Sequence, residues 1–368
     1  MCKVSFNFYA CQKYFNFATH NFSLYMNQHS NTALIVINYG TPDTASRRDV
    51  ASYLRQLLDD KHVMTMNAVG RKILVNCIIA PLRSKKSSKL YQKLAAVSGG
   101  EMPLKTHSKN FADKLQTLLG DKADVFVAMS AGYALVEDVM VEVLAANYKK
   151  IVIAPMFPQY TESTWGKILD DVFSSLKGRF NVPPVSVIEP FYQDELFLDA
   201  MCGVINDNIP QMSDIEKFVF SYHGVPILHT QMAHPGKSCG ELGCVDAVGG
   251  ENSRCYLAQC HHQTRLLAAK LGISPERCLT TFQSRFSDNW VSPYTDAEVR
   301  RLAADGIRNI AVITPSFTVD CLETIVEIGE TLRDTFLECG GKRFVSVPCL
   351  NASDLWTENF CKILEKSL

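Results

Sequence analysis

The chain alternates short apolar runs with longer amphipathic stretches, and the alternation occurs in two rounds. The strand-like runs of the first round lie at 32–40, 123–133 and 149–160. Those of the second round lie at 216–226, 278–286 and 307–317. Strands that alternate with helices build parallel sheets from βαβ units. The pattern therefore predicts an α/β protein with two doubly wound domains of similar design.

The two rounds are separated at 181–184, where Asn-Val-Pro-Pro interrupts the pattern. We predict domains over 32–182 and 183–347, and a C-terminal helix within 348–368 that packs back across both. A length of 368 residues accommodates two ordinary domains. Residues 1–31 lack the compact apolar core of a signal peptide and are predicted to be a weakly ordered extension.

Composition excludes several classes of protein. Hydrophobic residues make up 47% of the chain and charged residues 20%, which is typical of globular proteins. The net charge of -1 provides no basic excess for nucleic acid, and no apolar run reaches the length of a transmembrane segment. Thirteen cysteines without an export signal indicate a reducing, cytoplasmic location. We expect a monomer or a homodimer.

Polar and aromatic residues follow the predicted strands, at the edge where such sheets bind ligands. These positions hold Tyr39, Tyr160, His223, Gln283 and, after Pro315, the acids Asp320 and Glu323. Neither G-x-G-x-x-G nor G-x-x-x-x-G-K-[ST] occurs in the sequence. The chain therefore lacks the usual cradles for dinucleotides and triphosphates, which disfavours a dehydrogenase or a P-loop enzyme.

Three acids share one face of a predicted helix. Asp320, Glu323 and Glu327 fall at i, i+3 and i+7, where like charges repel by roughly 0.2–0.5 kcal/mol per pair. Asp320 and Glu323 could form a capping-box variant at the start of the helix, but Glu327 lies a full turn deeper. The remaining ordinary explanation is that the three acids lie on a solvent-exposed face of the helix.

His223 lies at the carboxyl end of a predicted strand and is followed directly by glycine. A lone histidine in such a place is more often a hydrogen-bonded structural residue than a ligand. Its position at the ligand-binding edge favours a functional role. An imidazole together with a carboxylate suits a divalent transition metal such as Fe²⁺, whereas oxygen-only sites suit Mg²⁺ or Ca²⁺.

Nine short motifs occur in order along the chain. They are NYGTPD at 38–43, IIAPLRS at 78–84, SGGEMPL at 98–104, PMFPQYTEST at 155–164, FSYHGVP at 220–226, FQSRF at 282–286, WVSPYTD at 290–296, TPSFTVDCLETIVEI at 314–328 and PCLNASDLW at 348–356. Together they resemble the motifs of the ferrochelatase family. Each motif is weakly specific, but the set is highly specific because it runs from residue 38 to residue 356.

The resemblance implies two similar Rossmann-like domains with a porphyrin bound in the cleft between them. It implies insertion of Fe²⁺ into protoporphyrin IX with release of two protons, which forms protohaem in the last step of haem biosynthesis. Alternatives are a related chelatase acting on coproporphyrin or sirohydrochlorin, and a non-catalytic tetrapyrrole carrier. Porphyrin and ferrous iron are the expected partners, and peripheral membrane contact stays open.

The resemblance also assigns site residues. It makes His223 the metal-site histidine and Glu323 its carboxylate partner, while Asp320 and Glu327 complete an acidic column that could pass protons or metal. The residues that match porphyrin-lining positions are Tyr39, Tyr160, Gln283 and Trp290.

Four cysteines lie in a Gly-rich, polar insertion at about 229–260. Cys239, Cys244, Cys255 and Cys260 have the spacing C-x4-C-x10-C-x4-C. Buried unliganded cysteines, a zinc site and an iron–sulfur cluster are the alternatives. Zinc sites usually pair cysteines at shorter spacing, whereas iron–sulfur clusters accept C-x₄-C. Some members of the family carry a [2Fe–2S] cluster, so we predict one here, with zinc as the alternative.

Overall fold

A computed structural model describes residues 30–368, which form two four-stranded parallel sheets. The first sheet contains β1 (Thr32–Thr41), β2 (Asp124–Gly132), β3 (Lys150–Pro155) and β4 (Val185–Val187). The second contains β5 (Lys217–His223), β6 (Cys278–Gln283), β7 (Asn309–Ile313) and β8 (Arg343–Ser346). Their strand orders, β2-β1-β3-β4 and β6-β5-β7-β8, are equivalent. The prediction of an α/β protein with two similar Rossmann-like units is confirmed.

The helices lie between and around these strands. The α-helices are α1 (Arg47–Leu58), α2 (Ala68–Ile73), α3 (Ala80–Val97), α4 (Pro103–Leu119), α5 (Val136–Ala145), α6 (Lys167–Leu176), α7 (Glu195–Asn208), α8 (Ile227–Met232), α9 (Tyr256–Leu271), α10 (Thr295–Ala304), α11 (Arg333–Glu338) and α12 (Asp354–Leu364). The π-helical segments are Leu74–Ile79, Glu162–Gly166 and Glu323–Leu332. Short 3₁₀ turns occur at Gly120–Lys122, Met212–Asp214, Gly250–Asn252 and Pro275–Arg277.

The central strand β1 contains a continuous apolar run at 33–37, because helices cover both faces of a parallel sheet. Leu34 and Val36 point into the largest core of the protein, whereas Ile35 and Ile37 point into a second core on the opposite face. The largest core also contains Phe218 and side chains of other second-sheet strands. The two sheets are therefore joined by shared hydrophobic packing, which fixes the walls of the cleft between them.

The C-terminal helix α12 contacts helices from both halves of the chain. The Trp356 ring stacks on Phe111 of α4 with centroids 6.0 Å apart, and it meets Phe197 of α7 edge-on at 5.4 Å. Its partner Phe360 lies 5.5 Å from the same Phe111. These aromatic contacts add to the packing that holds the halves together.

The first sheet extends past the predicted boundary at 182. Strand β4 pairs with β3, with Ile151 opposite Val185, so residues 185–187 belong to the first sheet. The Asn-Val-Pro-Pro sequence precedes an edge strand, and prolines are tolerated beside edge strands. The predicted extension at 1–31 lies outside the described residues apart from its last two.

Pro81 does not interrupt the helical stretch that contains residues 71–83. Helix α2 runs through the π-helical segment Leu74–Ile79 directly into α3. The N–H of Ala80 donates to the carbonyl of Val75, five residues earlier, just before α3 takes up regular α-helical bonding. The missing N–H of Pro81 therefore falls where the bonding pattern changes, which removes the usual conflict.

A bilayer crossing takes about 20 consecutive apolar residues in a helix. Within residues 30–368, none of the helices meets that requirement.

Candidate active site

A cavity of about 400 Å³ opens where the strands of both sheets end. Its wall includes Tyr39 after β1, His223 and Trp290 from the second half, and the segment that leads from Ser316 to Glu323. Most of the lining is apolar or aromatic, with a few polar groups, as is usual for small-molecule sites. This is the ligand-binding edge that the sequence predicts for doubly wound sheets.

His223, the last residue of β5, is held through one ring nitrogen, and its other ring nitrogen has no hydrogen-bond partner among residues 30–368. Its Nδ1 lies 2.7 Å from the carbonyl oxygen of Gly224 and must carry the proton, since a carbonyl only accepts. The Nε2 atom therefore has an available lone pair. The Tyr256 hydroxyl donates to the His223 carbonyl at 2.8 Å, and the rings of Trp290 and Phe317 flank the imidazole at 6.3 and 6.0 Å.

The glycine after His223 permits this arrangement. A Cβ atom at Gly224 would lie 2.8 Å from the carbonyl oxygen of Gln283 and 3.1 Å from the Trp290 ring. Gly40 has an equivalent role at the end of β1, where its φ is +130° and a Cβ would lie 1.9 Å from the Ala131 carbonyl oxygen. Both glycines are required by close approach of neighbouring chain segments.

Glu323 is the acid of the predicted column that lines the cavity. It is the first residue of the π-helical segment Glu323–Leu332, which is unusually long for a form that mostly occurs as single turns at functional sites. Neither this acid nor its neighbours form the solvated helix face considered from sequence, because Asp320 is buried and Glu323 faces the cavity.

Glu327 lies behind Glu323, away from the cavity wall. Burial, and next the charge of Glu323, raise the pKa of Glu327 to about 7. The Ser284 hydroxyl donates to Glu327 Oε2 at 2.7 Å and acts in the opposite direction, because it favours the charged carboxylate. Ser284 holds a left-handed φ of +59°, an uncommon conformation for a residue other than glycine. The carboxyl is thus able to exchange a proton near neutral pH.

Asp320 is not brought into the cavity wall. Its carboxylate accepts hydrogen bonds from the Thr324 hydroxyl at 2.8 Å, from Asn351 Nδ2 at 2.7 Å and from the Cys349 N–H at 3.2 Å. It does not cap the backbone of Glu323, so the capping-box alternative is not realised. Asp320 ties the start of the π-helical segment to the stretch that follows β8.

The four predicted porphyrin-lining residues divide into two pairs. Tyr39 and Trp290 lie in the cavity wall, and the Tyr39 ring meets Phe157 edge-on at 6.1 Å. Burial, with smaller effects of nearby acids, raises the pKa of Tyr39, which keeps its hydroxyl neutral. Gln283 lies outside the wall and accepts from the Ser221 hydroxyl at 2.7 Å. Tyr160 also lies outside the wall, with its hydroxyl 3.3 Å from a Glu162 oxygen.

Sequence reasoning missed His229, which also lines the cavity. It lies on α8, is buried, and neither of its ring nitrogens has a hydrogen-bond partner among the described residues. Burial lowers the pKa of His229, so the ring stays neutral and offers a lone pair. The signal that could have found it is its place one helical turn beyond the FSYHGVP motif.

The insertion brings together three of the four predicted cysteines. The donor atoms of Cys239, Cys244, Cys255 and His234 all lie within 4.8 Å of one another, which makes the group capable of holding a metal. Cys260 does not join it, because its side chain is fully buried in the largest core. Burial raises the pKa of the Cys260 thiol well above its usual range.

Comparisons with known proteins agree with this architecture. A protein-family model described as Ferrochelatase matches residues 31–368. The ferrochelatase of Legionella pneumophila (strain Corby) is 34% identical over 336 residues, which covers 91% of this chain and 99% of the relative. The ferrochelatase of Coxiella burnetii (strain Dugway 5J108-111) is 33% identical over 347 residues, which covers 94% of this chain and 96% of the relative.

Among solved structures, SirB from Bacillus subtilis with Fe3+ has a TM-score of 0.51 and 9% sequence identity. The match covers 91% of this chain and 95% of SirB, and it supports the fold alone. The family match and the close relatives extend over nearly all of the described residues. This chain belongs to the ferrochelatase family, the porphyrin metal chelatases that insert ferrous iron to form haem.

Proposed function

We propose that the cavity binds the porphyrin, and that His223 and Glu323 act on the ring there. One observation carries the proposal: the free Nε2 lone pair of His223 and the Glu323 carboxylate share a single, mostly apolar cavity at the sheet edges. A flat apolar macrocycle suits walls that include Tyr39 and Trp290. The roles of these four residues follow the family motifs described above.

The chemistry requires a base beside the ring. Insertion of Fe²⁺ into free-base protoporphyrin IX displaces two pyrrole N–H protons, so two H⁺ leave as two N–H bonds become Fe–N bonds. An imidazole has a reference pKa near 6.5 and is suited to accept a proton at neutral pH. His223 accepts at Nε2 because Nδ1 is committed to the Gly224 carbonyl.

The acidic side chains provide a path by which these protons leave the cavity. Glu323 stands in the cavity wall, and Glu327 lies one turn behind it with a pKa of about 7. A carboxyl with that pKa is matched to a solution near pH 7 and can both take up and release a proton. We assign Asp320 a positioning role, since its oxygens are occupied by Thr324, Asn351 and Cys349.

His229 adds a second imidazole to the wall, and burial lowers the pKa of His229 so that this ring stays neutral. Its unpartnered ring nitrogens are costly to bury unless a bound molecule satisfies them. We propose that the substrate, or water bound with it, supplies that partner. The assignments of Tyr160 and Gln283 as porphyrin contacts stay predictions.

Protoporphyrin IX is the proposed substrate, in line with the family match. Coproporphyrin differs from it in peripheral groups and is the closest competitor. A sirohydrochlorin chelatase resembles this chain in fold only, at 9% identity. A non-catalytic carrier is disfavoured because it does not need to move protons. It would not require a buried carboxyl behind the ligand with a pKa near neutral pH, as Glu327 has.

The test is an anaerobic assay with purified protein, Fe²⁺ and each tetrapyrrole separately, followed by visible absorption. We expect the free-base spectrum of protoporphyrin IX to convert to that of protohaem with many turnovers per protein molecule. Binding without conversion would indicate a carrier. Turnover confined to sirohydrochlorin or to coproporphyrin would identify a different chelatase.

The cytoplasmic location stays a prediction. The [2Fe–2S] cluster expected from the sequence depends on how the donor atoms of the insertion are arranged. The donor set of the insertion supports a metal site, and its geometry bears directly on which metal group it can hold.

A further inference from the structure

The donor atoms in the insertion are spaced like the ligand atoms around a single tetrahedrally coordinated ion. His234 Nε2 lies 3.5 Å from Cys239 Sγ and 3.8 Å from Cys244 Sγ, and Cys239 Sγ lies 3.8 Å from Cys255 Sγ. Around a tetrahedral zinc ion, Zn–S bonds of about 2.3 Å and Zn–N bonds of about 2.0 Å place neighbouring ligand atoms about 3.5–3.8 Å apart. The observed spacing is that of one ion shared by all four groups.

A [2Fe–2S] cluster requires a different arrangement. Its ligands are divided between two irons, so those on one iron are separated from those on the other by the iron and sulfide atoms. Here every pair of donor atoms is within 4.8 Å. The predicted fourth cysteine, Cys260, is buried in the core instead. The residues present therefore do not fit the cluster predicted from sequence.

Hydrogen bonds hold the site in shape. His234 Nδ1–H donates to the Lys237 carbonyl at 2.9 Å, which assigns the proton and directs Nε2 at the thiols. Metal-binding histidines commonly have such a partner on the second nitrogen. The N–H of Cys244 donates to the Cys239 carbonyl at 3.0 Å and closes the turn between these two residues.

Asn252 fixes the second half of the insertion. This buried amide donates to the carbonyls of Leu242 at 3.1 Å and Ala247 at 3.0 Å, and its oxygen accepts from the Gly249 N–H at 2.8 Å. The loop is polar and rich in glycine, with few apolar side chains to pack it. A metal would supply the cross-link that such a loop otherwise lacks.

We propose that His234, Cys239, Cys244 and Cys255 bind one zinc ion in a closed, structural site. Three thiolates and one imidazole in a tetrahedral arrangement form a common structural zinc set, and zinc brings no redox chemistry of its own. The ion would join the loop after α8 to Cys255, the residue directly before α9. Helix α8 itself carries His229 in the cavity wall. This inference does not depend on the proposed function.

The experiment is metal analysis of the full-length protein purified without chelators, combined with absorption spectra and circular dichroism. We expect one zinc per chain in a colourless protein. Cys260→Ala is the matched control and should keep the zinc, whereas His234→Ala should lose it. His234→Cys should keep zinc by forming a four-thiolate site, which guards against misfolding as the cause of the loss.

Several results would overturn the proposal. A reddish-brown protein with two irons and two acid-labile sulfides per chain would establish the cluster instead. Loss of metal from Cys260→Ala, or its retention in His234→Ala, would reject the ligand set. A folded protein that contains no metal and takes up no added Zn²⁺ would reject the site altogether.

Discussion

The cavity and the cysteine site each contain a histidine prepared in the same way, yet they differ in what surrounds it. Nδ1–H of His223 donates to the Gly224 carbonyl at 2.7 Å, and Nδ1–H of His234 donates to the Lys237 carbonyl at 2.9 Å. Each imidazole therefore presents Nε2. Three sulfur atoms converge on His234, and in the described part of the chain this is the one group of three or more potential ligands gathered within 4.8 Å.

The two sites differ in whether they retain a metal ion or pass it to another molecule. A site with four protein ligands is closed and holds its ion, whereas a site with open positions lets other groups bind the metal. A chelatase must give its iron to the porphyrin, so a complete protein ligand shell in the cavity would oppose the reaction. Aromatic rings beside His223 and a carboxylate in the same wall leave the remaining positions to the substrate.

The largest expected effect comes from removal of the cavity histidine. His223→Ala should reduce iron insertion by about 10²–10⁴-fold, the usual contribution of a general acid–base group. The fold should be retained, because the hydrogen bond that the ring makes is local. The measurement is the anaerobic rate with Fe²⁺ and protoporphyrin IX, with zinc content and circular dichroism recorded on the same sample.

This variant also separates the two sites. His223→Ala should keep its zinc and lose turnover, whereas His234→Ala should lose its zinc. Wild-type turnover in folded His223→Ala protein would show that the cavity histidine is a structural residue.

The second prediction compares two acids. Glu323→Gln should lower turnover far more than Glu327→Gln, by about tenfold or more, since Glu323 lines the cavity and Glu327 lies behind it. Both substitutions preserve side-chain size and replace an ionisable carboxyl with a neutral amide, so each is the control for the other. Small and equal losses would favour a structural role for the whole acidic column.

The cysteine site also shows where sequence reasoning reaches its limit. Cys239 and Cys244 have the same spacing as Cys255 and Cys260, but the first pair lies in a turn and the second at the start of α9. On a helix, five residues rotate a side chain by about 140° relative to the first, so Cys260 points away into the core. The spacing of residues in a sequence does not show which way each side chain points. For the same reason, the sequence did not identify His234 as a ligand.

The fold and the cavity were more predictable. Buried strands and amphipathic helices have distinct periodicities, and strand ends locate the ligand-binding edge from topology alone. The acidic column was only partly predictable, because its interpretation assumed an α-helix that begins at Asp320. The structure begins a π-helical segment at Glu323, and hydrogen bonds with Asn351 and Cys349, distant in sequence, hold Asp320 apart.

The third prediction concerns stability against pH. The pKa of Glu327 is raised from 4.5 to about 7 in the folded protein, so between those values the folded chain binds a proton that the unfolded chain does not. Stability from this group is present below pH 4.5 and is lost as the pH rises through about 7. The loss amounts to roughly 3 kcal/mol.

Glu327→Gln mimics the neutral acid and should abolish that pH dependence. The free energy of unfolding of the variant minus that of the wild type should rise between pH 4.5 and 7 and then level off. Denaturant unfolding at several pH values measures it, and the subtraction cancels groups common to both proteins. A flat difference would mean that Glu327 titrates at its ordinary pKa.

The smallest expected effect tests the hydrogen bond to that carboxyl. The Ser284 hydroxyl donates to Glu327 at 2.7 Å and favours its charged form, so Ser284→Ala should raise the pKa of Glu327 further. A hydrogen bond to a charged group is worth about 1.5–3 kcal/mol, which corresponds to a shift of about one to two pH units upward. The test repeats the subtraction in a Ser284→Ala background. The pH at which the difference in free energy of unfolding between Glu327→Gln and its parent levels off should rise by that amount.

Backbone strain does not confuse the comparison, because alanine and serine meet the same penalty at a φ of +59°. Ser284→Gly removes both the hydroxyl and the backbone strain. It should raise the pKa of Glu327 as much as Ser284→Ala does, and its free energy of unfolding should be higher than that of Ser284→Ala. An unchanged pKa of Glu327 in both variants would show that Ser284 does not control the charge of this carboxyl. The proton-exchanging role of that carboxyl would then rest on burial and on the neighbouring charge of Glu323.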